Sequence, residues 1–229
     1  MRILSFDTST KAFSIALFQD QHLVRETRSL SEGFVHAERL HQGIDEIMAE
    51  VGWNRSDLDL LGVGIGPGSY TGLRIGSSAA KGMSHALDIP LVGLHTHTVM
   101  AEQAKTKVDE GLLCAMLDAR RSEVYLCLME TDGTYLRPIS NEIIEEGWKL
   151  DAPDDAVVTF FGEGMPKCRS ILEKEPSSRF LDDIHPWARF MIKPLLDKYQ
   201  KEEFLDLAYF EPEYLKAFRA GKPKGPVGT

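Results

Sequence analysis

Hydrophobic and polar positions run through the same order twice along this chain. Residues 2–7, RILSFD, form an apolar run that ends on Asp7; Thr8-Ser9-Thr10-Lys11 turns the chain, and Phe13, Ile15 and Leu17 then alternate as one buried strand face requires. A turn at Asp20-Gln21 leads into a third extended segment, HLVRETR. The order returns at residues 113–136, where LCAML ends on Asp118, ARRS turns, Val124, Leu126 and Leu128 alternate, and Asp132-Gly133 turns into TYL. Asp7 and Asp118 hold the same place in the two copies, 111 residues apart, about the length of one domain.

Helical periodicity follows the first copy. Leu40, Ile44, Ile47, Met48 and Val51 predict an amphipathic helix over 34–51 that stops at Gly52. A strand at Leu60–Val63 then leads into GIGPGSYTGLRIG (64–76), a helix from about 69 to 87 and a strand at Leu91–Leu94. The second half is less sharply patterned: helix or loop near 140–150, a strand at Val157–Phe161, and helical stretches near 166–174 and 187–208. Strand triplets followed by helices, twice over, predict an α/β fold of two related lobes, 1–105 and 106–208, with a tail at 209–229.

The glycine-rich stretch lacks the means to hold a nucleotide. No lysine follows at the spacing of a phosphate-wrapping loop, Thr71 and Ser69 stand where a dinucleotide fingerprint needs its third glycine, and Ser69 does not sit in a GxSxG elbow. In the helix behind it, Gly72, Gly76, Ala79, Ala80, Met83 and Leu87 share one stripe. A glycine inside a helix costs about 1 kcal/mol relative to alanine, so two of them imply that another backbone approaches closely, either within this chain or on a partner. The partner reading makes Leu40, Ile44, Ile47, Gly72, Leu73, Gly76, Ala79, Ala80 and Met83 an interface. Amides at the helix start, with Arg74, offer a weaker anion site.

Composition narrows the rest. With 229 residues and 43% hydrophobic content the chain can bury a substantial core, and a formal charge of −9 disfavours binding a nucleic acid alone. The stretch after Glu213 is the exception, carrying Lys216, Arg219, Lys222 and Lys224 without an acid. Cys114, Cys127 and Cys168 have no CxxC spacing, which speaks against a disulfide framework or structural zinc. No apolar run reaches the ~18 residues of a membrane span, so the chain reads as cytoplasmic. Metal binding is not expected: His95 and His97 lack a third ligand, and His36 and His41 lie about 140° apart on their helix. Asp7, Ser9, Thr10, Asp118 and Arg120 remain as contacts for a nucleotide or anion, against the plainer reading of each aspartate as a cap of its own turn.

Five stretches, RILSFDTST, GIGPGSYTGLRIG, IPLVGLHT, LDARRSEVY and EPEYL, together resemble the bacterial TsaB (YeaZ) family over residues 1–216. The resemblance implies a duplicated two-lobed ASKHA (actin/sugar kinase/Hsp70-like, ribonuclease H-like) fold. It also implies a non-catalytic subunit that pairs with TsaD, with TsaE joining the complex, in forming threonylcarbamoyladenosine next to the anticodon of tRNAs that read codons starting with A. On that basis the chain has no catalytic residue and no intrinsic cofactor, ATP and magnesium belong to partner subunits, tRNA is met through the complex, and the isolated chain forms a homodimer. Two departures from catalytic members fit: neither turn after Asp7 or Asp118 contains a glycine, and His95-x-His97 stands where TsaD-like proteins carry two histidines four residues apart. The fold also implies that Gly162-Glu163-Gly164 sits where an adenine is often held, though a plain strand-to-helix turn explains it as well. The alternative is an ASKHA-type kinase or ATPase using Asp7 and Asp118 on a magnesium nucleotide.

Overall fold

The computed structural model describes residues 1–30, 36–153 and 155–215, with the side chains of 36–38 outside that description. Two five-stranded mixed sheets dominate it. In the first, β1 (Arg2–Asp7), β2 (Ala12–Gln19) and β3 (His22–Leu30) form an antiparallel meander, and β4 (Leu60–Gly66) and β5 (Leu91–His95) add in parallel to give the order β3-β2-β1-β4-β5. In the second, β6 (Leu112–Asp118), β7 (Glu123–Met129), β8 (Tyr135–Ile143), β9 (Val158–Phe161) and β10 (Ser178–Leu181) repeat that arrangement as β10-β9-β6-β7-β8. The two aspartates end equivalent strands, Asp7 opposite Ser14 and Asp118 opposite Val124. The duplication predicted from the strand pattern is therefore present in the topology.

The first sheet is covered on both faces, which is why β1 and β4 read as continuous apolar runs. On one face α1 (His36–Glu50) and α2 (Tyr70–Leu87) pack Leu40, Ile44, Ile47, Met48, Ala79, Ala80 and Met83 against Leu4, Phe6, Ile15, Leu17, Leu61 and Val63. On the other, Ile3, Phe18, Leu60, Val92 and Leu94 meet Ala188, Met191 and Leu195, contributed by a 3₁₀ turn at Ala188–Phe190 and by α5 (Ile192–Gln200). Residues 187–208 are thus not one helix of the second lobe. Their helical part returns to the first sheet, where the Leu195 side chain occupies the space a Cβ at Gly62 would need.

A helix with no amphipathic signal links the sheets. In α3 (Thr96–Ala104), Val99 joins the first sheet's core while Met100, Ala101 and Ala104 pack with Leu113, Ala115, Leu117 and Phe161 of the second. Buried on both sides, it shows no polar stripe. A boundary at residue 105 therefore does not separate two independent cores. The second sheet's outer face is closed by Met165, Cys168 and Leu172, from the segment leading into the short α4 (Arg169–Leu172).

Residues 201–215 run back over the first lobe as a strap. The Leu205 amide donates to the Leu91 carbonyl at 2.8 Å and the Glu213 amide to the Ile65 carbonyl at 2.8 Å; Leu205 and Leu207 pack on the first core, and Leu215 reaches the second. Residues 209–215, read from sequence as part of a tail, are docked. Lys216, Arg219, Lys222 and Lys224 lie outside the described residues.

The structure revises the interface residues read from the sequence. Leu40, Ile44, Ile47, Leu73, Ala79, Ala80 and Met83 are all buried within the chain. Gly72 and Gly76 also face inward, and a Cβ at either would collide with Thr8, at its carbonyl oxygen and its hydroxyl respectively. The close-approaching backbone inferred from these glycines is this chain's own turn after β1. Gly82 differs, because a Cβ there meets nothing within 4 Å. Accordingly, Gly76→Ala is expected to lose about 1–3 kcal/mol through overpacking while Gly82→Ala gains up to about 1 kcal/mol, read from urea unfolding midpoints. A Gly76→Ala variant as stable as the parent would contradict this packing.

Candidate functional site

The turn after β1 is sewn shut. The Asp7 side chain is fully buried, and its Oδ1 accepts from the Ser9 amide at 2.8 Å and the Ser9 hydroxyl at 2.7 Å. Its Oδ2 has no hydrogen-bond partner and lies against Gly64, where a Cβ would collide with it. Thr8, Ser9 and Thr10 are buried too: the Thr8 hydroxyl donates to the Gly72 carbonyl at 2.8 Å, the Ser69 amide donates to the Ser9 carbonyl at 2.6 Å, and Thr10 Oγ1 accepts from the Ala12 amide at 3.0 Å. The glycine-rich stretch is the receptor for this turn. Ser69 also caps α2, its hydroxyl accepting from the Gly72 amide at 3.2 Å. The Ser69 and Gly72 amides are therefore occupied, and Arg74 points elsewhere, lying 4.0 Å over the Tyr70 ring with its Nε 3.4 Å from the Tyr214 hydroxyl.

The second turn is open to solvent but already occupied. Asp118 is exposed, and its Oδ1 accepts from the Arg120 amide at 2.9 Å and from Lys167 Nζ. Lys167 also donates to the carbonyls of Arg121 at 3.0 Å and Glu123 at 2.6 Å. Arg120 and Arg121 both take left-handed backbone conformations, φ 69° and 53°, in a turn with no glycine to relieve them. Lys167 gathers the turn's oxygens and so holds that geometry. Sequence reading missed it, because a lysine 49 positions from its carboxylate partner leaves no periodic signal.

Gly162-Glu163-Gly164 packs against the end of β6, with the Gly164 amide donating to the Met116 carbonyl at 3.0 Å. Desolvation, followed by the charge of Asp118, raises the Glu163 pKa, against the opposing influence of Lys11 and Lys167. The two turns thus meet electrostatically around Glu163, which also acts on Asp7. The two histidines diverge. His95 Nε2 lies 3.3 Å from Glu213 Oε2, whereas buried His97 places Nε2 3.0 Å from the Tyr125 carbonyl. Among the described residues no group of three or more His, Cys, Asp or Glu side chains converges as metal ligands would, the three cysteines are buried and unpaired, and no helix is long and apolar enough to cross a membrane.

Residues 34–169 match the family model described as TsaD, tRNA N6-adenosine threonylcarbamoyltransferase. The tRNA threonylcarbamoyladenosine biosynthesis protein TsaB of Escherichia coli is 34% identical over 132 residues, 58% of this chain and 56% of that protein. The TsaB protein of Haemophilus influenzae is 28% identical over an alignment of 231 residues covering 94% of each. The chain belongs to the TsaB family. YeaZ from Pseudomonas aeruginosa, at 22% identity, superposes with a TM-score of 0.82 over 93% of this chain and 99% of that one. The two-lobed arrangement is the ASKHA fold, as the sequence resemblance implied. Against the E. coli relative, the matched stretch is little more than half of either TsaB chain.

Burial of Asp7 and of His97 has opposite consequences for this TsaB-family chain. Desolvation raises the Asp7 pKa from 3.8 to about 7, although its two Ser9 hydrogen bonds pull it back. Desolvation lowers the His97 pKa from 6.5 to about 4. A raised carboxyl pKa means that the unfolded chain ionises first, so stability is full below pH 3.8 and is lost, by on the order of 4 kcal/mol, as pH rises through 7. A lowered histidine pKa means that the unfolded chain takes up its proton first, so stability is full above pH 6.5 and is lost as pH falls toward 4. Asp7→Asn keeps the carbonyl acceptor for Ser9 and removes the ionisation. Its stability advantage over the parent is expected to grow by about 3 kcal/mol between pH 5 and pH 7.5 in urea unfolding, since each pKa unit is worth about 1.4 kcal/mol. An equal difference at both pH values would place the Asp7 pKa near its ordinary value.

Proposed function

We propose that this chain is a non-catalytic scaffold subunit in tRNA threonylcarbamoyladenosine biosynthesis, and that it binds a TsaD-type catalytic subunit along the outward face of α2. The pathway is the one that names its relatives in E. coli and H. influenzae. The observation that carries the docking face is Gly82: a glycine inside an 18-residue helix, whose missing side chain makes room for nothing among the described residues. Thr71, Arg74, Ser78, His85 and Ala86 are exposed on the same side. These residues replace the inward stripe of Gly72, Gly76 and Met83 as the surface a partner helix would meet at close range.

Both aspartates favour a scaffold over the kinase or ATPase alternative. Asp7 is sealed beneath Thr8–Thr10, with its protonated and ionised forms balanced near neutral pH, and Asp118 is engaged by Lys167. A magnesium nucleotide would have to break both arrangements. On this reading ATP and magnesium are held by partner subunits, TsaE and tRNA join the TsaD-bound complex, and the isolated chain closes its exposed helix face in a homodimer.

Replacing Gly82 by tryptophan tests the placement. Size-exclusion chromatography with light scattering should show a one-to-one complex between the parent and the TsaD protein of the same organism, and separate components for Gly82→Trp, with thermal unfolding of the variant no lower than that of the parent. Complex formation by Gly82→Trp at parental affinity would remove α2 from the interface.

A further inference from the structure

We propose that the strap after α5 forms one wall of the docking face on α2, and that Tyr209 is its anchor for the partner subunit. This rests on the reading that a TsaD-type partner docks along α2. At 100° per residue, Arg74 and Lys81 mark one flank of the outward face, and Ala79 and Met83, which pack with α1, mark the other. The strap is attached along the Arg74 flank. Lys81 Nζ donates to the Phe210 carbonyl and lies 5.2 Å from its ring, while the Tyr214 ring sits 5.0 Å from that of Tyr70, next to Arg74. α1 and the strap therefore border the outward face of α2 on its two sides.

Tyr209 stands on this border, and among the described residues nothing covers its ring. It is 84% exposed, more than any other exposed large hydrophobic side chain among those described. Its backbone, in contrast, is fixed. Asp206 Oδ1 accepts from the Ala208 amide at 2.8 Å and the Tyr209 amide at 3.2 Å, and the Phe210 amide donates to the Asp206 carbonyl at 2.8 Å. With Phe210 tied to Lys81, the turn holds the Tyr209 backbone beside α2. An aromatic side chain on a fixed backbone has only two rotatable bonds to still on association and buries a large area, the combination found at the energetic centres of protein interfaces. The occupant is the same subunit that meets Gly82, because the strap's wall is continuous with that face.

Tyr209→Ala and Tyr209→Phe, compared with the parent in calorimetric titration against the TsaD protein of the same organism, decide the matter. Tyr209→Ala is expected to weaken the one-to-one complex by about tenfold or more, with an unchanged thermal midpoint, and Tyr209→Phe to stay within about threefold of the parent. Tyr209→Ala binding within about twofold of the parent, while Gly82→Trp abolishes binding, would overturn the strap's role and leave the α2 interface standing. Loss of self-association alone in Tyr209→Ala, with heterodimer affinity intact, would assign the strap to contacts between copies of this chain and equally overturn the proposal. A parent that binds no TsaD protein would fail the underlying reading instead.

Discussion

The hydrogen bond from the Thr8 hydroxyl to the Gly72 carbonyl, with that from the Ser69 amide to the Ser9 carbonyl, is the constraint on which the first lobe depends. It joins the end of β1 to the start of α2, and it requires two stretches of backbone to touch. Only residues without a Cβ permit that approach, so Gly72 and Gly76 of α2 lie where the turn presses on the helix. Once joined, the turn covers Asp7 and leaves its carboxyl without water. The turn's polar groups, from the Thr8 hydroxyl to the Ser9 amide, hydroxyl and carbonyl, all find partners within the chain.

The second turn reaches the same end by other means. Asp118, Arg120, Arg121 and Ser122 remain exposed, but Lys167 crosses from the segment before α4 to collect the Asp118 carboxylate and two carbonyls. One copy of the duplicated unit has been closed by packing and the other by an ion pair. The repeat is preserved in strand order while its chemistry has diverged, which explains why Asp7 and Asp118 look equivalent in sequence and have little in common in environment.

Much of this was legible beforehand, for physical reasons that can be named. β1 and β4 read as continuous apolar runs, β2 alternates with period two, the inward faces of α1 and α2 carry the 3.6-residue period, and both aspartates end apolar runs. α3 carries no such signal because it is apolar toward both sheets, and α5 reads as part of the second lobe because an amphipathic stripe says that a helix packs without saying on what. The glycines of α2 correctly announced a close backbone; sequence could not tell whether it belonged to this chain, and proximity to Thr8, more than sixty residues away, decided it. Lys167 and the strap depend on long-range contacts that no local window contains, and Gly82, which shares no stripe with Gly72 and Gly76, stood out only after their role was known.

The placement of α5 also bears on how the chain is made. Ile3, Phe18, Leu60 and Val92 form one face of a sheet completed by residue 95, yet their cover arrives with Met191 and Leu195. During synthesis at roughly 5–20 residues per second, that face waits for about a hundred further residues to emerge, a delay of roughly 5–20 seconds. The first half of the duplication thus cannot mature while still tethered to a ribosome that has made only that half. A nascent chain of this protein therefore carries an uncovered apolar sheet face for close to half of its translation, and loses it when α5 closes over the sheet.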